Sequence, residues 1–279
     1  MGHARTALLT WLRARSLDGR IVMRIEDIDG PRVVPGAAEG ILREHEWLGL
    51  DWDEGPFFQS DRDAHYEEAL ARLRSEGLVF PCTCSRKDIA EAASAPHGED
   101  GPVYPGTCRQ GPTRSDRPAA LRFRFAGASP GFTDLFHGEV APGRVAGDFV
   151  VRRADRLWAY QLAVVVDDAS MGITEVIRGD DLLSSTSRQL ALYDALGYRR
   201  PDFAHVGLVT DVQGRRLSKR HGAPALRAFR QAGQSPEQIV GWLAHSLGIQ
   251  PDTSPVAASE LLPSFDVTDL TKGPVFAAS

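Results

Sequence analysis

One short loop concentrates residues suited to handling phosphate: Arg216-Leu217-Ser218-Lys219-Arg220-His221-Gly222. The chain holds only three lysines, Lys87, Lys219 and Lys272, so its basic side chains are nearly all arginine. A lysine ammonium is a compact, mobile point charge, suited to a phosphate that shifts during a reaction. Glycines at 214 and 222 give the loop conformational freedom. At the other end of the chain, Gly2-His3 opens directly onto an apolar-periodic segment. A helix starting there would offer free N–H groups and a positive dipole end to an anion, and Gly2 would let a nucleotide approach closely. Taken singly, each feature is equally a solvated basic turn or an ordinary chain end.

A second group suggests a metal. Cys82-x-Cys84 is followed by Tyr104-x-x-x-Cys108. Three cysteines cannot all pair as disulfides, and their close spacing suits a reducing cytosol and a metal. Two near thiolates and a distant one read as a tetrahedral zinc site lacking its fourth ligand. On chemistry alone that ligand would be His97, because imidazole binds zinc far more often than phenolate.

The elements that must position these groups alternate. Residues 4–15 predict a helix with Ala4, Ala7, Leu8, Trp11 and Leu12 on one face. Residues 21–25 predict a short buried strand ending in Glu26-Asp27-Ile28-Asp29. Helices follow from about Pro35 to Gly49 and from about Asp63 to Ser75. Residues 162–166, a continuous apolar run closed by Asp167-Asp168, predict a central parallel strand. A helix over about 185–196 stops at Gly197. Two helices follow the lysine loop, the second with Ser235 as N-cap and Pro236 at its first position. Such alternation implies an α/β fold with a parallel sheet. Turn-rich sequence between about 80 and 145 predicts an inserted subdomain, in which residues 121–125 alternate as a half-exposed strand. The α/β pattern then resumes at Phe149. The 279 residues carry a formal net charge of −5, which neither announces nor excludes a nucleic-acid partner. No apolar run is long enough to span a bilayer, so no membrane role is expected.

Six segments together carry a resemblance. Gly2-His3-Ala4-Arg5-Thr6-Ala7-Leu8, Arg24-Ile25-Glu26-Asp27-Ile28-Asp29, Gln59-Ser60-x-Arg62, Val164-Val165-Val166-Asp167-Asp168, Ile177-Arg178-Gly179-Asp180-Asp181 and Leu217-Ser218-Lys219-Arg220-His221-Gly222 occur in order. Their order and spacing resemble those of glutamate-type class I aminoacyl-tRNA synthetases. The first resembles the second half of the HIGH signature and the last the KMSKS loop, with Arg216 where the signature has its first lysine. The resemblance implies a Rossmann-type catalytic domain, a small zinc-containing insertion and a short helical C-terminal part. It implies four stretches: 1–80 and 146–210 as the two Rossmann halves, 81–145 as the insertion, and 211–279 as the lysine loop and helical end.

The resemblance also implies roles. Lys219 and His3 would be catalytic, clamping ATP from two sides with Gly2 and Ser218, and Mg2+ would accompany the ATP. Glu26 would receive the substrate amino group, with Tyr160 and Arg178 as further glutamate contacts. Cys82, Cys84, Tyr104 and Cys108 would hold Zn2+, so the resemblance favours Tyr104 over His97.

Only about 60 residues follow Lys219, too few for a long anticodon-binding region. That is similar to the glutamyl-queuosine tRNA(Asp) synthetase branch of the family. The branch implies a cytoplasmic, monomeric ligase that activates L-glutamate with ATP in the absence of tRNA. It then places glutamate on the queuosine base in the anticodon loop of tRNA(Asp). The alternatives are a truncated glutamyl-tRNA synthetase charging tRNA(Glu) and a catalytically impaired paralogue. In the family a strand precedes the HIGH signature, and here the match starts inside that signature. Met1 is therefore expected to be an internal methionine of the natural protein, and the 279-residue form to be weakly active or inactive.

Overall fold

In the computed structural model, described over residues 1–92, 103–125, 127, 130–142, 147–210, 226–270 and 275–276, the chain opens directly into helix α1 (Gly2–Ser16). Ala4, Leu8, Leu9, Trp11 and Leu12 recur on one face of α1, and all are buried. Strand β1 (Val22–Ile25), helix α2 (Ala37–Trp47) and strand β2 (Glu54–Phe58) form a crossover unit whose strands pair in parallel. Gly55 sits in β2 at φ +95°, and a Cβ there would run into the Met23 carbonyl, so only glycine fits this close pairing. Helix α3 (Asp63–Ser75) buries Tyr66, Ala69, Leu70 and Leu73, the face its periodicity predicts.

The middle of the chain departs from the expected sequence of elements. Strands β3 (Val79–Cys82), β4 (Ala120–Phe123) and β7 (Phe149–Arg152) form an antiparallel sheet in that order, with helix α4 (Arg86–Ala92) following β3. The Phe149 strand thus continues the antiparallel sheet and does not restart a parallel one. Strands β5 (Phe132–Asp134) and β6 (Gly138–Val140), which lie between β4 and β7 in sequence, belong to a different sheet, of order β6-β5-β9-β8 with β8 at Glu175–Gly179 and β9 at Asp202–Val206. These pairings cut across positions 81 and 145.

Residues 162–166 are a correction. They lie in helix α5 (Tyr160–Ser170), not in a strand. Leu162, Ala163, Val164, Val165 and Val166 are all buried, so α5 is enclosed on every side. A helix enclosed all round carries no amphipathic period, and three consecutive valines then imitate a strand. The parallel strand of this region is β8 (Glu175–Gly179), joined through α6 (Leu183–Leu196) to β9 (Asp202–Val206) in a second crossover unit. Gly197 ends α6 in the left-handed region, as expected of a helix stop.

Beyond β9 come β10 (Val209–Thr210), α7 (Leu226–Gln231), α8 (Pro236–Leu247), α9 (Ala258–Leu261) and β11 (Val275–Phe276), the last paired in parallel with β10. Ser235 and Gln238 cap α8 reciprocally: each backbone N–H of the pair donates to the other's side chain.

Three apolar clusters result. One joins α1, α8 and α9, a second joins α3, α5, α6, β4 and β7, and a small third surrounds Phe80, Cys82, Ile89, Tyr104 and Cys108. Among the described residues, no helix is long and apolar enough to cross a membrane.

Candidate active site and metal centre

The parallel strands deliver polar side chains at their C-terminal ends, where α/β sheets bind ligands. Glu26 directly follows β1 and is exposed; Arg178 is the penultimate residue of β8 and is buried. Tyr160 opens α5 and is half-buried. Burial and the Glu26 charge push the Tyr160 hydroxyl above its ordinary range, while Arg178 opposes them, so the three share one electrostatic neighbourhood. Together they offer an anion for an ammonium group, a guanidinium fork for a carboxylate, and a neutral hydroxyl.

Three of the motif segments meet at α5. Asp167, fully buried on α5, accepts from Gln59 Nε2 at 2.7 Å, Arg62 Nε at 2.6 Å and Tyr66 Oη at 2.8 Å. Asp168 accepts from Arg24 Nη1 at 2.7 Å and Tyr193 Oη at 3.2 Å. Burial raises the Asp168 carboxyl against the pull of Arg24. Arg24 also donates to Glu26 at 3.3 Å, so this pair of aspartates braces the strand end that carries Glu26.

A second buried group surrounds Arg178. Its Nε donates to His205 Nε2 at 3.0 Å and its Nη2 to Thr186 Oγ1 at 2.8 Å. His205 Nδ1 lies 2.6 Å from Asp134 Oδ2. Sequence reading singled out neither His205 nor Asp134. The available signal was a lone histidine inside the apolar run Phe203-Ala204-His205-Val206, because a polar group in a buried strand must find a partner.

Gly2 and His3 lie in the first turn of α1, both exposed. The space where a Gly2 Cβ would project is open. The His3 ring packs edge-on against His45 of α2 at 5.2 Å. Ser218 and Lys219 lie outside the described residues. Arg5, one turn into α1, is fully buried. It donates to Gly207 O at 2.5 Å, to Ser246 Oγ at 3.2 Å and to Ser246 O at 3.1 Å, tying α1 to α8 and to the β9–β10 turn.

Cys82, Cys84 and Cys108 are free thiols whose sulfurs all lie within 4.8 Å of one another, a cluster that could hold a metal ion. Cys84 and Cys108 sulfurs are 3.6 Å apart. The Tyr104 hydroxyl lies 3.4 Å from Cys82 Sγ and 4.0 Å from Cys84 Sγ, and accepts from the Cys108 N–H at 2.8 Å. Burial pushes the Cys84 thiol up to about 11. Burial acts the same way on Cys108. There, hydrogen bonds from the Thr83 and Thr113 backbone and the Thr113 and Tyr104 hydroxyls outweigh it and bring the thiol down to about 6. His97 lies outside the described residues.

Strand-end acid and arginine, an exposed helix N-terminus and parallel crossover units are the features of an α/β catalytic domain of the class I synthetase type. Residues 1–277 match the family described as tRNA synthetases class I (E and Q), catalytic domain, and the chain belongs to that family. It is 49% identical to the glutamyl-Q tRNA(Asp) synthetase of Symbiobacterium thermophilum, over 99% of this chain and 91% of that protein. It is 49% identical to the one from Rhodopirellula baltica, over 93% of this chain and 84% of that one. A glutamate-tRNA synthetase from Elizabethkingia anophelis shares the fold with a TM-score of 0.81 at 23% identity; the likeness covers 100% of this chain and 65% of that one.

Proposed function

We propose that this chain activates L-glutamate with ATP in the absence of tRNA and transfers it to the queuosine base of tRNA(Asp). The observation that supports this reading is that Glu26 and Arg178 stand at the C-terminal ends of parallel strands and both act on the Tyr160 hydroxyl, with charges that complement both ends of an amino acid. The choice of acceptor rests on the relatives named glutamyl-Q tRNA(Asp) synthetase. An anticodon loop suits such an acceptor role because its unstacked bases can be splayed into a protein site.

In the reaction, a glutamate carboxylate attacks the α-phosphorus of ATP, and the bond to the β-phosphate oxygen breaks to release pyrophosphate. No covalent bond to the protein is needed, so the protein contributes positioning and charge. Glu26 takes the ammonium group, Arg178 a carboxylate, and Tyr160 borders both. His3 and Gly2 receive phosphates at the start of α1, while Lys219 and Ser218 meet them from the lysine loop. Loss of one such transition-state contact costs about 3 kcal/mol. Mg2+ would accompany the ATP phosphates.

The thiol cluster fits zinc. Thiolates around a tetrahedral ion at about 2.3 Å stand about 3.8 Å apart, close to the observed sulfur separation. Cys82, Cys84, Cys108 and the Tyr104 oxygen would hold it, and the bound ion would cross-link the insertion without entering the chemistry.

Labelled glutamate offered with ATP and either queuosine-containing tRNA(Asp) or tRNA(Glu) tests the reading. Label on the queuosine base is expected. Label on tRNA(Glu) alone would identify a shortened glutamyl-tRNA synthetase, and no glutamate-dependent ATP–pyrophosphate exchange would identify an inactive paralogue.

A further inference from the structure

We propose that His205 is a positioning residue for substrate recognition: as an uncharged acceptor between Asp134 and Arg178, it fixes one edge of the Arg178 guanidinium and leaves the end of the fork for the substrate carboxylate. The proposal rests on the reading of Arg178 as a glutamate contact.

The protonation state follows from the donors. A guanidinium can only donate, so the His205 Nε2 that takes the Arg178 Nε at 3.0 Å must carry a lone pair. The ring proton therefore sits on Nδ1, and Nδ1 donates to Asp134 Oδ2 at 2.6 Å. Asp134 is itself fixed by the backbone N–H groups of Phe136 at 3.0 Å, His137 at 3.0 Å and His205 at 3.1 Å. Thr186 Oγ1 completes the set, accepting from Arg178 Nη2 and lying 3.1 Å from His205 Nε2. His205 and Thr186 are 0% exposed, Asp134 1% and Arg178 8%. The Nε–Nη2 edge of the fork is thus committed to protein, which leaves the Nη1–Nη2 end for the substrate carboxylate.

The interposed imidazole has a purpose that a direct ion pair would not serve. An aspartate placed on Arg178 would neutralise it and compete with the substrate carboxylate. Through His205, Asp134 orients the arginine while its own charge stays a ring's width away. Protonation of His205 would remove the acceptor and set two cations face to face. The charged and titratable groups facing the ring are Asp134 from β5, Arg178 from β8 and His137 from the β5–β6 turn. Burial, Arg178 and His137 hold the imidazole below its ordinary range against the pull of Asp134, so it is neutral at neutral pH.

Glutamate-dependent ATP–pyrophosphate exchange from about pH 5.5 to about pH 8, with KM measured for both substrates, tests this. The wild-type glutamate KM should hold level from about pH 8 down to about pH 6.5, where His205 is neutral, and any rise should come only at lower pH, while the ATP KM stays within about twofold. His205→Phe should raise the glutamate KM roughly tenfold at neutral pH and show no further rise in acid. His205→Gln, which keeps an acceptor oxygen, should recover part of the loss. A glutamate KM unchanged in His205→Phe, or a fall in kcat with both KM values unmoved, would overturn the proposal. If the variants do not fold, nitrogen-15 NMR of the wild-type imidazole decides: a His205 ring protonated on Nε2 at about pH 7 overturns the proposal. Arg178→Lys separates the two readings: a raised glutamate KM there with an unaffected His205→Phe refutes the role of His205 alone, whereas an unmoved glutamate KM in Arg178→Lys refutes the assignment of Arg178.

Discussion

Asp167 illustrates how single residues hold this site. It is fully buried, and its two oxygens take donors from Gln59, Arg62 and Tyr66, three side chains of one short segment. Three of the motif segments satisfy one another here: Gln59 and Arg62 meet Asp167, and Arg24 meets Asp168. Asp167→Asn would replace an accepting oxygen with a donor and leave Arg62 and Arg24 short of a countercharge. A loss of about 3 kcal/mol is expected, because removing one member of a buried pair strands the other. Urea unfolding of the two proteins measures it; an equal midpoint would refute the assignment. The roles proposed for Glu26 and Arg178 came only from the resemblance, because an acid or arginine at a strand end is ordinarily an ion pair. Asp134 and His205, 71 residues apart, were not legible at all: no local spacing joins them, and only the β5–β9 pairing brings them together.

Elements were legible where one face meets the core and the other meets water. Helices α1, α3 and α8 carry that contrast, and α8 adds the Ser235–Gln238 capping box and Gly248 at its end. Ser235→Ala removes the acceptor for the Gln238 N–H and should destabilise the protein by about 1 kcal/mol, read as a lower urea midpoint with unchanged slope. Helix α5 was misread because burial on all sides erased the contrast. Strand β7 was misread for a different reason: a strand's partner is not written in its own residues. The sequence Phe149-Val150-Val151 is equally good in a parallel or an antiparallel sheet.

At the scale of the whole molecule, distant parts are held by few contacts of high consequence. Arg5 joins residues more than 200 positions away, and burial lowers its guanidinium to about 10, still charged at neutral pH. The third apolar cluster is far smaller than the other two and cannot stabilise its surroundings alone. The proposed ion would supply what the core does not. Chelation should therefore expose Cys82, Cys84 and Cys108 to a thiol reagent, while the far-ultraviolet circular dichroism signal falls only slightly. Thiols that stay unreactive after the metal is stripped would count against the cross-link.

The excursion between β4 and β7 carries one more lesson, about modularity. That stretch of chain leaves the antiparallel sheet, lends β5 to the edge of β9, supplies Asp134 to His205, and then returns. The segment around the thiol cluster therefore cannot be excised as a cassette. A shortened chain closed by a linker from 81 to 145 would lose the edge strand and the anchor of the arginine together. Any natural trimming of this region would have to stop short of Phe132.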